Sequence, residues 1–178
     1  MTPRLPPDVV ADLRTDHAGE TGAVWMYRAI RRLARDAALR EFAERHHATE
    51  SAHLARIEGW LPAPQRSRLL PLWRVAGWCT GALPALFGPR AVYATIEAVE
   101  RFVDGHYGEQ IARLRDEPAL HALRQVLAEC QADEVAHRDE ACARRGARTG
   151  AGAGPVQRAW AWMVGTGSHA AVALCRRI

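Results

Sequence analysis

The chain has 178 residues, 25% of them charged and 48% hydrophobic, with a formal net charge of +4. That length fits one domain, and the composition excludes disordered and collagen-like chains. All 24 basic residues are arginine, which excludes a P-loop and a lysine Schiff base. The arginines are spread along helical stretches without interleaved aromatics, so nucleic acid is not an expected partner. Arginine to the exclusion of lysine, with abundant alanine, suggests a GC-rich coding sequence and a bacterial source. Cysteines 79, 130, 142 and 175 form no C-x-x-C pair and are expected as free thiols in a reducing compartment. Residues 1–8 hold three prolines and no apolar run, so no secretory signal is expected there.

Alanine, arginine, leucine and glutamate dominate and β-branched runs are scarce, which predicts an all-α fold. A first helix is expected after Pro6-Pro7, with Asp8 as N-cap, to about Asp36. A second runs from about Ala38 to Trp60 and stops before Pro62-Ala63-Pro64. A third, apolar helix falls within Leu69 to Phe87. A fourth spans about Pro89 to Arg115, with Pro89 at its first position. A fifth opens near Pro118 and runs to about Arg145. Residues 146–154 read as a flexible linker, and a last helix follows from Pro155.

Two stretches are strongly apolar. Fifteen uncharged residues separate Arg74 from Arg90, and 17 separate Arg158 from Arg176. The first is short for a membrane span and carries Gly77, Gly81, Pro84 and Gly88. The second is interrupted by Gly165, Thr166, Gly167, Ser168 and His169. Trp73, Trp78, Trp160 and Trp162 sit in or beside these stretches, with Arg66, Arg68, Arg74, Arg158, Arg176 and Arg177 flanking them. Tryptophan and arginine around apolar helices predict an interfacial face that docks on a lipid surface without crossing it.

The chemistry is concentrated in a half-motif that occurs twice. Glu20 is followed by Glu50-x-x-His53, and Glu100 by Glu134-x-x-His137. The gaps of 30 and 34 residues let the chain turn and return as an antiparallel pair in each half. Residues i and i+3 leave the same face of a helix, so each Glu–His pair can address one centre. Four carboxylates neutralise two divalent ions, while two imidazoles complete the donor set. This is the ligand arrangement of ferritin-like di-iron and di-manganese bundles. Glu44 and His47 share the same spacing but lie about 120° around the helix from Glu50, and read as a solvated pair. His46 shares the Glu50/His53 face. Asp133 could reach across to His53 as the acceptor that orients a ligating histidine. Glu97, one turn before Glu100, is a rival ligand.

The string Asp16-His17-Ala18-Gly19-Glu20-Thr21-Gly22-Ala23 resembles the D-H-A-G-E-x-G-A signature of the demethoxyubiquinone hydroxylase family. Ala98-Val99-Glu100, His106-Tyr107 and Gln110-Ile111 resemble that family's A-V-E, H-Y and Q-I elements. Asp133-Glu134-x-x-His137-x-Asp139 resembles its D-E-x-x-H-x-D segment, and Glu50-x-x-His53-Leu54 its E-x-x-H-L. Thr21 and Gly105 depart from the tyrosine and histidine common at those places. The resemblance implies a ferritin-like four-helix bundle with two additional apolar helices. It implies two iron ions on Glu20, Glu50, His53, Glu100, Glu134 and His137, with His106 and Tyr107 as catalytic residues near metal and quinone. It further implies hydroxylation of a polyprenylated benzoquinone with O₂, NADH as a reductant, and a peripheral place at the cytoplasmic face of the cell membrane. A lipid-binding accessory protein and a homo-oligomer are partners compatible with it. Another ferritin-like oxidase, ferroxidase or peroxidase shares the same ligands, and a metal-free membrane scaffold is the reading from a different class.

Overall fold

The computed structural model describes residues 5–146 and 155–177, apart from the side chains of residues 155–158 and 161. Helix α1 (Pro7–Leu33) begins on a proline, which has no N–H to leave unpaired in a first turn. The N-cap position is Pro6, so Asp8 lies inside the first turn and is not the cap expected from the sequence. The helix also stops short of Asp36. That carboxylate instead caps α2 (Ala37–Trp60), accepting from the Leu39 N–H at 2.9 Å. A side-chain acceptor is worth more at an exposed helix start than within a helix, which is why Asp36 marks a boundary.

A 3₁₀ turn (Ala63–Gln65) leads to α3 (Leu70–Leu86). The turn at Gly88 has φ +93°, and α4 (Pro89–Arg113) follows with proline again in its first turn. A second 3₁₀ turn (Pro118–Leu120) precedes α5 (His121–Gly146), and α6 (Pro155–Cys175) is the last helix. Gly146 thus ends a helix, and the remainder of the expected linker, 147–154, lies outside the described residues. The short links pair α1 with α2 and α4 with α5, and the connection between the two hairpins carries α3. Two helical hairpins joined by one long crossover make the ferritin-like bundle.

Two apolar cores seal the bundle at either end. One gathers Tyr27, Ile30, Leu39, Phe42, Val92, Tyr93 and Ile96; the other gathers Leu13, Ile57, Leu61, Tyr107, Leu123 and Leu127. The polar residues of the half-motifs lie in the same helices between them.

Helices α3 and α6 lie against the α1 and α4 side of the bundle. α3 approaches α1 closely because it has no side chain at two crossing points. A Cβ on Gly77 would stand 2.1 Å from the Gly22 carbonyl oxygen, and one on Gly81 would stand 2.2 Å from that of Met26. The spacing of Gly77 and Gly81 puts both on one helix face. The Trp160 indole N–H donates to Thr95 Oγ1 at 2.8 Å, fastening α6 to α4. Near the other end of α6, Arg176 pairs with Asp12 of α1. Outward from this layer, Leu72, Val75, Leu86, Phe87 and Trp162 are exposed, Phe87 by 82%. Among the described residues, no helix is long and apolar enough to cross a membrane.

Both sides of the α1–α3 contact are backbone, so a larger side chain cannot be absorbed by a rotamer change. Gly77→Val should therefore destabilise the protein by roughly 1–3 kcal/mol or more, a fall of about 2–12 °C in Tm. A Cβ on Gly59 would meet nothing within 4 Å, so Gly59→Ala should leave Tm unchanged or slightly raised. Thermal melts of the two variants check this.

Candidate metal centre

Six side chains converge where the four bundle helices face one another. Glu20 comes from α1, Glu50 and His53 from α2, Glu100 from α4, and Glu134 and His137 from α5. All six are buried, Glu50, His53 and Glu134 to 1% exposure. They form two overlapping sets. Glu20, Glu50, His53 and Glu134 bring one donor atom each within 4.8 Å of one another, and so do Glu50, Glu100, Glu134 and His137. Glu50 and Glu134 belong to both sets, so each can serve two positions while Glu20 and Glu100 serve one apiece.

The histidines aim the same nitrogen inward. His53 Nδ1 lies 3.1 Å from Glu134 and 3.6 Å from Glu20; His137 Nδ1 lies 3.1 Å from Glu50 and 3.3 Å from Glu134. His53 Nε2 is 3.0 Å from Asp133 Oδ2, the crossing expected from the sequence. With the Nε2 proton given to Asp133, the Nδ1 lone pair is left for a metal. Glu20 Oε2, Glu50 Oε1, Glu134 Oε2 and His137 Nδ1 are buried without a hydrogen bond. Carboxylates this deeply buried are costly unless cations neutralise them. The unpartnered donor atoms and the balance of four carboxylates against two divalent charges make the cluster able to hold metal.

Each lone glutamate is held by a tyrosine from the other lone-glutamate helix. Tyr107 OH donates to Glu20 Oε1 at 2.5 Å, and Tyr27 OH donates to Glu100 Oε1 at 3.1 Å. Burial, followed by the nearby carboxylates, pushes both phenols well above the usual range. The motif spacing does not single out Tyr27. A signal is nonetheless present: Glu20 and Tyr27 are seven residues apart, as are Glu100 and Tyr107, so each pair shares a face two turns apart.

The neighbours sort differently from the ligand set. Glu97 does not join the cluster; it pairs with Arg101 and Arg145, each at 2.8 Å. Glu44 pairs with Arg31 at the surface. His46 bonds Glu140 at 2.9 Å and meets the His137 ring edge-on, with centroids 4.0 Å apart. Burial and the nearby His137 lower its pKa to about 4, so it packs as a neutral ring.

A cavity of about 370 Å³ opens beside the cluster. Glu20, Glu50, Glu100 and Glu134 form part of its wall, while Gly22, Gly77, Val99, Val103, Met163 and Val164 are among the small and apolar residues that line it. Trp73 and Trp160, both half-buried, also line it. Two of the flanking arginines are likewise engaged, Arg66 with Glu58 at 2.8 Å and Arg176 with Asp12. The side chain of Arg158 lies outside the described residues. His106 and Tyr107 both face the cavity. His106 Nε2 lies 2.9 Å from Thr15 Oγ1 and 3.2 Å from Asp16 Oδ1.

Residues 8–175 match the family model described as ubiquinone biosynthesis protein COQ7. The chain belongs to the COQ7 family. Among its relatives, 3-demethoxyubiquinol 3-hydroxylase of Rhodospirillum rubrum is 39% identical over 135 residues, covering 71% of this chain and 60% of that protein. The mitochondrial NADPH-dependent 3-demethoxyubiquinone 3-hydroxylase of Rattus norvegicus is 32% identical over 131 residues, with the same coverages. The Caenorhabditis elegans protein of that name is 26% identical over 170 residues, covering 93% of this chain and 88% of the relative. The match to the first two spans about three fifths of their length. COQ7 membership and the all-α bundle agree with the expectations drawn from the D-H-A-G-E and E-x-x-H segments.

Without metal, the cluster must take up protons on folding. Burial, then the charges of neighbouring carboxylates, raises the pKa of Glu50 and Glu100. Burial opposes the charged form of His53, but the adjacent carboxylates of Glu134 and Glu20 outweigh it and raise its pKa. His137 is raised in the same way, chiefly through Glu134. Burial also opposes ionisation of Glu134, yet the imidazoles of His137 and His53 against its carboxylate bring it down to about 2. The raised groups hold protons that the unfolded chain releases, so their stabilisation is lost as pH rises through the folded pKa values. The Glu134 contribution is instead lost below about pH 4.5. Metal-free protein should therefore show a falling Tm between about pH 5 and 9, and Glu100→Gln should reduce that fall. Metal displaces these protons, so loaded protein should gain most stability at the alkaline end. Melts with and without metal across that range check the sign.

Proposed function

We propose that this chain is a di-iron monooxygenase that hydroxylates a demethoxy polyprenyl benzoquinol with O₂ in ubiquinone biosynthesis. The observation that carries the reading is the placement of two overlapping carboxylate–histidine sets at the wall of an apolar cavity of about 370 Å³. The names of the Rhodospirillum and rat relatives support the substrate class. Residues 1–178 would act as one domain.

Glu20, Glu50, His53, Glu100, Glu134 and His137 would hold the two ions. Iron bound there supplies the activation of O₂ that ring hydroxylation needs. One oxygen atom enters the ring and the other leaves as water, with two electrons and two protons from a reductant. NADH is the expectation from the sequence, whereas several relatives are named NADPH-dependent. The chain's own residues do the remaining work. Tyr27 and Tyr107 hold Glu100 and Glu20 in fixed orientations, and Asp133 fixes the His53 ring. The apolar wall excludes bulk water from the ring and strengthens the electrostatics of the polar end. His106 can carry a proton through its ring nitrogens, and Tyr107 beside it completes the catalytic pair.

A prenylated ring reaches such a cavity from lipid. The exposed Leu72, Val75, Leu86, Phe87 and Trp162 on α3 and α6 support docking at the cytoplasmic face of the cell membrane. A lipid-binding accessory protein or a second copy of the chain is compatible with the same surface.

Quinone profiling of cells lacking the protein should show accumulation of the demethoxy intermediate. Glu100→Ala and Glu134→Ala should each lower turnover at least about 10²-fold, and reduce iron from two per chain, while the helical spectrum is kept. Turnover retained by either variant contradicts the ligand assignment. Liposome flotation tests docking: the protein should float with anionic vesicles, and Phe87→Asp with Leu86→Asp should leave it in the soluble fraction.

A further inference from the structure

The two halves of the bundle repeat the same face. Glu20 and Tyr27 on α1 recur as Glu100 and Tyr107 on α4, an offset of 80 residues in both cases. A site that only held two ions would need nothing else to differ. Three positions differ sharply. Asp16, four residues before Glu20, corresponds to Ile96. His106, one residue before Tyr107, corresponds to Met26. Gln110, three residues after Tyr107, corresponds to Ile30. Ile96, Met26 and Ile30 are buried in an apolar core. Asp16, His106 and Gln110 instead bond one another: Gln110 Nε2 donates to Asp16 Oδ1 at 2.7 Å, and His106 Nε2 lies 3.2 Å from the same oxygen.

Both donors therefore converge on Oδ1. Asp16 Oδ2 is buried with no hydrogen-bond partner, on a residue that is 4% exposed and lines the apolar cavity. The hydroxyls in the cavity wall are already engaged. Thr15 donates to the Asp12 carbonyl, Thr80 to Ala76, Ser168 to Val164, and Tyr107 to Glu20. An unpartnered buried acceptor calls for a donor brought by the ligand.

We propose that Asp16 is a specificity-determining residue whose Oδ2 accepts a ring hydroxyl of the substrate, so that the site selects the hydroquinone over the quinone. His106 and Gln110 position that carboxylate. The inference rests on the benzoquinol substrate proposed above and adds the residue that reads its redox form. A hydroquinone presents an O–H to Oδ2, whereas a quinone presents a carbonyl oxygen and leaves both oxygens without a proton between them. A site built on a hydrogen bond rejects the analogue that lacks it far more strongly than an apolar pocket does.

The test is anaerobic calorimetric binding of a demethoxy benzoquinone bearing one prenyl unit and of its hydroquinone. Iron-loaded protein and redox-silent zinc-substituted protein are used in parallel. Wild-type protein should bind the hydroquinone at least about tenfold more tightly than the quinone. In Asp16→Asn the amide oxygen can still accept from Gln110 and His106, which turns an N–H toward the cavity; the preference should invert toward the quinone. Asp16→Leu should bind both forms within about twofold. Equal binding by wild type, or an unchanged hydroquinone preference in Asp16→Asn, overturns the inference while leaving the substrate class standing. If wild type binds neither ring, the substrate class itself is wrong and the inference falls with it. The wild-type ratio needs no variant, so a substitution that fails to fold cannot shield the proposal.

Discussion

Four carboxylates buried within reach of one another govern the energetics of this molecule. Their mutual repulsion and lost hydration oppose folding, and only protons or cations in their midst can offset that. The surroundings are arranged accordingly. Apolar cores close both ends of the bundle, and each reaches the polar site through one tyrosine. Two tyrosines hydrogen-bond the cluster, each from a helix that also carries one of its carboxylates.

The second feature is asymmetry imposed on a symmetric centre. Glu50 and Glu134 are shared by both ligand sets, and the tyrosine-to-glutamate bonds cross in both directions. The proposed reaction requires a side, because a planar ring must approach from one direction. The cavity supplies that side, with α3 and α6 as its outer walls. Gly77 is part of its wall, and with Gly81 it lets α3 lie against the α1 backbone. Its polar end follows from Asp16, His106 and Gln110, which stand where the other half has Ile96, Met26 and Ile30.

The outer surface obeys a different rule from the site. Residues of α3 and α6 alternate between lining the cavity and facing outward, so the same apolar composition serves two environments. Trp160 faces inward and bonds Thr95, whereas Trp162 is 71% exposed. Composition alone cannot divide such a helix into its two faces when nearly every residue is uncharged.

The helices, their order and the convergent carboxylate–histidine cluster are all legible in the amino-acid sequence. Helical spacing projects Glu50 with His53 and Glu134 with His137 from single faces, and proline and glycine punctuate the chain where helices begin and turn. Asp133 reaching His53 is legible for the same reason, since it precedes Glu134 by one position. Local spacing says nothing about contacts between distant segments, and those were settled by packing. Asp36 belongs to the helix after it because a helix start, unlike a helix end, leaves N–H groups for a carboxylate to cap. Glu97 pairs with Arg101 and Arg145 and not with the cluster, which depends on what the neighbouring helix presents. Trp73 and Trp160 line a cavity that exists only when α3 and α6 cover α1 and α4. The crossing of Tyr27 to Glu100 and the unpartnered oxygen of Asp16 are likewise products of packing, because each depends on which side chain a neighbouring helix presents.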